Sequence, residues 1–366
     1  MTYKETFFFV AKCLTINHEE HNKRIVEEML QSNTVDWDEV VKLSTAHFVF
    51  PALYCNLKRA SLLSYLPEDL VEYMKYITEL NRERNEKIIT QAKELNTLLL
   101  EHKITPIFIK GTGNLLEGLY EDIAERMVGD IDFICSPEDY PKAIQLLKKN
   151  GYINNQKEYE KRLDDKHYPR LIYNSKIAAV EVHFTFLREK FRDELNYNFI
   201  KESVQLIQGV SVLSFENQLS LSIAAHQIND FGFENNSLVL RNAYDVFLLS
   251  KKTVAKNAFI NLNTLQHPLH CFLASCYEAF NKPDSLQYFL SDQTHQYLVL
   301  FYKYLKNRDL ALKNKLKVLK KRNMRMRLLK LYKCLFYKEY RNWLINCISD
   351  KRWRKEKLIQ LGLKKP

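Results

Sequence analysis

Two acids, Asp130 and Asp132, stand two residues apart in the apolar run "MVGDIDFIC" (127–135). Side chains of an extended strand alternate faces, so both carboxylates leave one side while Ile131 and Phe133 leave the other. Like charges that close repel, and burying them unpaired is costly, so something cationic must sit between them. A third acid, Glu181, lies in the alternating run "IAAVEVHFTF" (177–186) and shares its face with His183 and Thr185. Carboxylates gathered from strands of one small sheet hold pairs of divalent ions in phosphoryl-transfer sites, where one ion activates an attacking hydroxyl and the other steadies a leaving group. Mg²⁺, or Mn²⁺ in its place, takes only a few such carboxylates and completes its shell with water and substrate phosphates. The competing reading is an edge strand with two solvated acids, and for Glu181 a plain ion pair with a lysine.

A phosphate-binding element precedes the acids. "ITPIFIKG" (104–111) is a β-branched, apolar run that passes into Lys110-Gly111-Thr112-Gly113-Asn114. A glycine turn there offers backbone N–H groups and the Thr112 hydroxyl to phosphate oxygens, with Lys110 adding charge. Lys110 has a rival use, an ion pair with one of the acids. Arg126, four residues before Asp130, is placed to reach a triphosphate. His183 either orients an acid and touches substrate or is a satisfied structural histidine. His226 reads as a core or interface residue, and Arg241 with Asp245 as an i,i+4 ion pair. Tyr120 and Trp37 read as core, and "HPLHC" (267–271) as a helix start at Pro268 rather than a metal site, for it lacks a second ligand pair.

The elements that must position these groups follow from the spacing of apolar residues. Residues 1–103 read as a helical region in which Asp36-Trp37-Asp38-Glu39 opens one helix and Pro67 to His102 forms a long one. In the long helix "NRERNEK" (81–87) is expected to be the solvated face. Residues 104–215 form an α/β core: strands at 104–111, "GDIDFIC", "RLIYN" and 177–186, with the helix "YPKAIQLLKKNGY" closed by Gly151. Helical spacing returns over 216–310, and 311–366 is a basic helical tail. The fold class is α+β, a small mixed-sheet core flanked by helical regions.

Composition narrows the rest. Only 8 glycines and 9 prolines in 366 residues argue for helix, and neither GxGxxG nor GxxxxGK[ST] is present, which excludes dinucleotide and P-loop folds. Seven scattered cysteines without a CxxC, and no signal peptide, read as reduced thiols in a cytosolic protein. No segment reaches the roughly 18 apolar residues of a membrane span. Net charge is +11, but residues 301–366 carry 22 Lys/Arg against 4 Asp/Glu, leaving 33 against 40 elsewhere. The tail, "KNKLKVLKKRNMRMRLLKLYKCLFYKEYRNW", interleaves this charge with Leu, Tyr, Phe and Trp, so it suits RNA phosphates, an anionic surface, or a solvated helical end-cap.

The order of a glycine turn after a strand, DxD on the next strand and a lone acid on a later one resembles the nucleotidyltransferase fold of the DNA polymerase β superfamily. More specifically, the chain resembles an uncharacterised bacterial nucleotidyltransferase family across 36–250, in "DWDEVVKLSTAHFVFPALYCNL", in the core from "ITPIFIKG" through Tyr120 and Arg126 to "GDIDFIC", and in "NGYINN", "VEVHFTF" and "LRNAYDVFLL". It departs at Thr112, where the superfamily has Gly or Ser, and in a longer gap from Gly111 to Asp130. The resemblance implies transfer of a nucleoside monophosphate from an NTP to an acceptor hydroxyl, with Asp130, Asp132 and Glu181 holding the metal and Lys110, Gly111, Thr112 and Arg126 the triphosphate. The acceptor stays open: RNA or tRNA in a toxin-like enzyme, a protein hydroxyl, or a sugar or small molecule. A catalytically inactive binding module on the same fold is the non-enzymatic alternative.

Overall fold

The computed structural model describes residues 1–154, 166–188, 191–259 and 262–360. Helix α1 (Tyr3–Cys13) starts at a capping box, in which the Thr2 hydroxyl accepts from the Glu5 amide and the Glu5 carboxylate accepts from the Thr2 amide. Helices α2 (Glu20–Gln31), α3 (Trp37–Ala46) and α4 (Phe50–Arg59) follow, α3 capped by Asp36 and α4 carrying Pro51 in its first turn. The long helix α5 (Glu68–Glu101) buries Met74, Ile88, Ala92, Leu95 and Leu99 along one face, as their spacing requires.

The same helix corrects one expectation. "NRERNEK" is solvated only in part: Glu83, Glu86 and Lys87 are exposed, but Asn81 and Asn85 are buried and donate to main-chain carbonyls of the 122–129 loop. The Asn81 amide reaches Ala124 O at 2.7 Å, and that of Asn85 reaches Ile123 O at 2.6 Å and Arg126 O at 2.7 Å. Arg82 pairs with Asp122, and Arg84 Nε donates to Val128 O at 3.2 Å. A buried loop without a strand partner needs donors for its carbonyls, and α5 supplies them from a polar stripe. That clamp fixes the chain as it enters the strand with the two acids.

Strand β1 (Ile107–Phe108) is shorter than the expected 104–111, because Lys110 turns out of extended backbone at φ 57° to begin α6 (Lys110–Glu117). Then come β2 (Asp130–Ile134), α7 (Tyr140–Lys149), β3 (Ala179–His183), α8 (Tyr197–Ile200), β4 (Gln205–Ile207) and β5 (Val210–Val212). The sheet order is β3-β2-β1-β5-β4, with β2 parallel to β3, β1 parallel to β5, and the β1–β2 and β4–β5 pairs antiparallel. "RLIYN" forms no full strand: Leu171 bridges Val180, Ile172 bridges Ile153, and nearby His167 bridges His183. The segment is an arm laid along β3.

Helix α9 (Phe215–Ala224), a π turn at 225–229, α10 (Gly232–Asn235), α11 (Leu240–Ser250), α12 (Gln266–Ala279) and α13 (Asp292–Lys306) return the chain to helix. One hydrophobic core runs from Phe7 to Leu305 through the amino-terminal helices, the sheet and these later helices. It stops where α14 (Arg308–Phe336), α15 (Lys338–Ser349) and α16 (Lys351–Gln360) begin; α14 buries none of its residues. The architecture is α+β, a five-stranded mixed sheet with helical flanks.

Candidate active site

In β2 the alternation is realised. Ile131 and Phe133 are fully buried, and on the other face Asp132 lies in register opposite Glu181 of the parallel neighbour β3. Asp130 faces Ala179 at the strand entrance, nearer solvent. His183, two residues beyond Glu181, is buried, with Nε2 at 2.8 Å from Asp132 Oδ1 and 3.5 Å from Glu181 Oε2. Its Nδ1 lies 3.4 Å from the Thr185 carbonyl. Asp132, Glu181 and His183 thus each offer a ligand atom within 4.8 Å of the others. The structure brings together Asp132 and Glu181 as expected and adds His183 to them; Asp130 stands at the rim.

The cations required by three close acids are present. Lys110 Nζ donates to Asp132 Oδ1 at 2.5 Å and lies 4.0 Å from Glu181 and 3.3 Å from His183 Nε2. Its left-handed backbone is strained for a non-glycine residue, at a cost of order 1 kcal/mol, and strain of this kind collects at functional sites. Arg170 spans the other two acids, with Nη2 at 2.8 Å from Asp130 and Nε at 2.8 Å from Glu181. His167 Nε2 adds a contact to Glu181 at 3.5 Å.

Electrostatics follow this pairing. Burial would raise the Asp132 carboxyl, but Lys110 and the bond with His183 outweigh it and hold the group well below the ordinary range. Glu181, buried as well, is brought down to about 2 by His183, Lys110 and His167 against the repulsion of Asp132. Asp130, with only Arg170 close, is instead raised by burial and by its acidic neighbours. Burial and the Lys110 charge push Lys166 down to about 8.

The phosphate-side residues divide. Thr112 is buried and its hydroxyl donates to the Asp130 carbonyl at 2.9 Å, tying α6 to β2. Gly111 packs against Val128 and the Arg126 guanidinium. At Gly113 a Cβ would come 2.9 Å from the Phe108 carbonyl oxygen, so only glycine lets α6 approach β1. Arg126 is not turned to the acids. Its guanidinium is buried and forks onto Asp245 of α11 at 2.9 Å, while Nη1 donates to Met127 O. Tyr120 donates to the same Asp245 at 2.6 Å, and Asn114 and Gln218 extend the chain of bonds. Asp245 therefore pairs with Arg126 and not with Arg241, which rests on the Phe48 ring. His226 is buried, edge-on to Phe272 and pressed against Gly232, a packing role.

Sequence reasoning missed His167, Arg170 and Lys166. Their signal was the charge deficit of three acids with one lysine nearby; nothing in "RLIYN" reveals that it lies along β3.

Acids from two adjacent parallel strands, facing a lysine at the start of a helix, make a site suited to a polyphosphate and divalent ions, the chemistry of nucleotidyl transfer. The chain belongs to a family described as "Uncharacterised nucleotidyltransferase", whose model matches residues 33–280. No curated protein matches it. The crystal structure of JHP933 from Helicobacter pylori is similar over 66% of this chain and 98% of its own, at 17% identity and a TM-score of 0.32. At that score the likeness carries no argument.

Proposed function

We propose that the protein transfers a nucleoside monophosphate from an NTP to an acceptor hydroxyl, releasing pyrophosphate. The observation that carries this reading is the register of Asp132 with Glu181, which converges buried carboxylates and His183 on one point beside Lys110. The donor set fits a divalent ion: oxygen ligands suit Mg²⁺ or Mn²⁺, and an imidazole tilts the choice toward Mn²⁺. Asp132, Glu181 and His183, with Asp130 at the rim, would hold it. Once bound, the metal supplies positive charge that neutralises the triphosphate and lowers the pKa of a coordinated hydroxyl.

The chain's own groups do the rest. Lys110, beside Asp132 at the start of α6, would receive phosphate charge. Arg170, at the rim beside Asp130 and Glu181, would supply the second cation. Gly111 and Thr112 lie in the first turn of α6, whose N–H groups have no carbonyl of their own helix to bond and would be offered to phosphate. The acceptor oxygen bonds to the α-phosphorus, the bridge to the β-phosphate breaks, and a site carboxylate takes the hydroxyl proton.

The test is label transfer from α-³²P ATP, CTP, GTP and UTP in turn, with Mg²⁺ or Mn²⁺ and cell extract, beside Asp130→Ala/Asp132→Ala. Label on a macromolecule with wild type alone is the expected result; nuclease or protease sensitivity then separates RNA or tRNA from a protein acceptor. Label on a small product identifies a sugar or metabolite. Metal-dependent nucleotide binding with no transfer to any acceptor would instead support the inactive binding module.

A further inference from the structure

The tail is bound to the body along one side only. Helix α14 rests its inner face on the turn around α10, where Arg322 lies 4.6 Å over the Phe231 ring and Asn314 donates to Glu234 O. On the outer side, Lys317, Lys320, Met324, Leu328, Leu331 and Leu335 follow one another at helical steps of three and four and are all exposed. The stripe opens with two lysines and continues with four apolar residues. It runs to the elbow where α14 ends and α15 begins, with Tyr337 in extended backbone between them. At that elbow Leu335, Phe336 and Tyr337 are 73%, 64% and 55% exposed, with Lys338 exposed beside them. A run of exposed aliphatic and aromatic side chains at the tip of a helical hairpin is not an ordinary solvated end-cap.

We propose that the α14–α15 elbow docks on an anionic lipid surface, its Leu335-Phe336-Tyr337 tip entering the headgroup layer and the basic residues of α14 lying against lipid phosphates. Charge and apolarity decide the partner together. An RNA would use the lysines, and its bases could stack on Phe336 or Tyr337, but Met324, Leu328 and Leu331 would stay in water. A second copy would cover the apolar stripe, yet it would bring together two tails that each carry 22 basic against 4 acidic residues between 301 and 366. An anionic bilayer uses both the apolar tip and the lysines and arginines of α14, for apolar burial and attraction to acidic headgroups add. No helix among the described residues is long and apolar enough to cross a membrane, so this contact is with the surface.

The experiment is flotation of the full chain with vesicles of phosphatidylcholine alone and of phosphatidylcholine with one-third phosphatidylglycerol. Recovery with the anionic vesicles should be about tenfold higher and fall with salt. Leu335→Ser/Phe336→Ser/Tyr337→Ser changes only exposed side chains and should lower it about tenfold, with the circular dichroism spectrum retained. Lys317→Ser/Lys320→Ser should weaken the preference for anionic lipid. Three results would overturn the proposal: no flotation with either vesicle, flotation that the elbow triple leaves unchanged, or a chain that is dimeric by light scattering and made monomeric by that triple. Tight binding to RNA that survives the elbow triple, without vesicle binding, would assign the surface to nucleic acid instead.

Discussion

Two charge clusters share the segment from Arg126 to Asp130, and they are built on opposite terms. In the first, Lys110 and Arg170 bond Asp130, Asp132 and Glu181, with Lys166 near them, and the Arg170 side chain is 57% exposed. In the second, Arg126 and Asp245 balance one another, with side chains 8% and 2% exposed, and Tyr120, Asn114 and Gln218 complete the bonding. The sealed cluster is a joint: it fastens the loop before β2 to α11. The open one is held by cations that a competing ligand can displace. Sequence alone sorted Arg126 with the open cluster, because four residues before an acid is a reachable distance; what removed it was a partner 119 positions later in the chain. A sealed and balanced pair is structure, and a cluster closed by a half-exposed guanidinium is available for binding.

The contrast is tested most severely at Asp132. Asp132→Asn should lower label transfer roughly a thousandfold, the order of loss when a preorganised electrostatic group is removed, while the chain stays folded. The sealed joint should behave in reverse. Asp245→Asn leaves the Arg126 guanidinium buried without its counter-charge, and urea unfolding should report a loss of about 3–5 kcal/mol. Arg126→Met/Asp245→Leu, which removes both charges, should recover most of that loss; a double variant as unstable as the single would mean that the joint is not an isolated pair.

Arg170 separates the clusters more gently. Its two bonds hold acids that a metal would need, but a half-exposed guanidinium makes each worth only roughly 0.2–1 kcal/mol. Arg170→Ala should therefore tighten Mn²⁺ binding by calorimetry about threefold to tenfold in the absence of nucleotide. Unchanged affinity would show that Arg170 does not compete for the acids.

Much of this arrangement was legible in the residues because strand periodicity is short. Two steps along β2 decide which side Asp130 and Asp132 take, and the same rule puts Glu181 beside His183. The helical flanks were equally plain in the spacing of Met74, Ile88, Ala92, Leu95 and Leu99. Long-range pairing was hidden. The strand over 104–111 shrank to two residues because Lys110 adopts a left-handed turn, which no lysine announces. The polar stripe of α5 looked like a solvent face because asparagine serves water and loop carbonyls equally well. The Arg170 contacts depend on how the arm at 166–172 lies along β3, a matter of packing rather than of local pattern.

The last test comes from acid. Glu181 has its carboxyl drawn from an ordinary 4.5 to about 2 in the folded chain, its neighbouring cations and His183 prevailing over burial. A depressed folded pKa contributes stability that is present above the unfolded value and is lost as pH falls through the folded one. Glu181 pairing should thus support the fold above about pH 4.5 and cease to do so as pH approaches about 2. Urea midpoints followed down this range should decline more steeply for wild type than for Glu181→Gln, which carries no proton to exchange there. If the two curves run parallel, the site acids gain as much in the unfolded chain as in the folded one, and the open cluster stores no pairing energy of its own. If they converge towards pH 2, the acids are held in place by Lys110, His183 and Arg170 before any metal arrives.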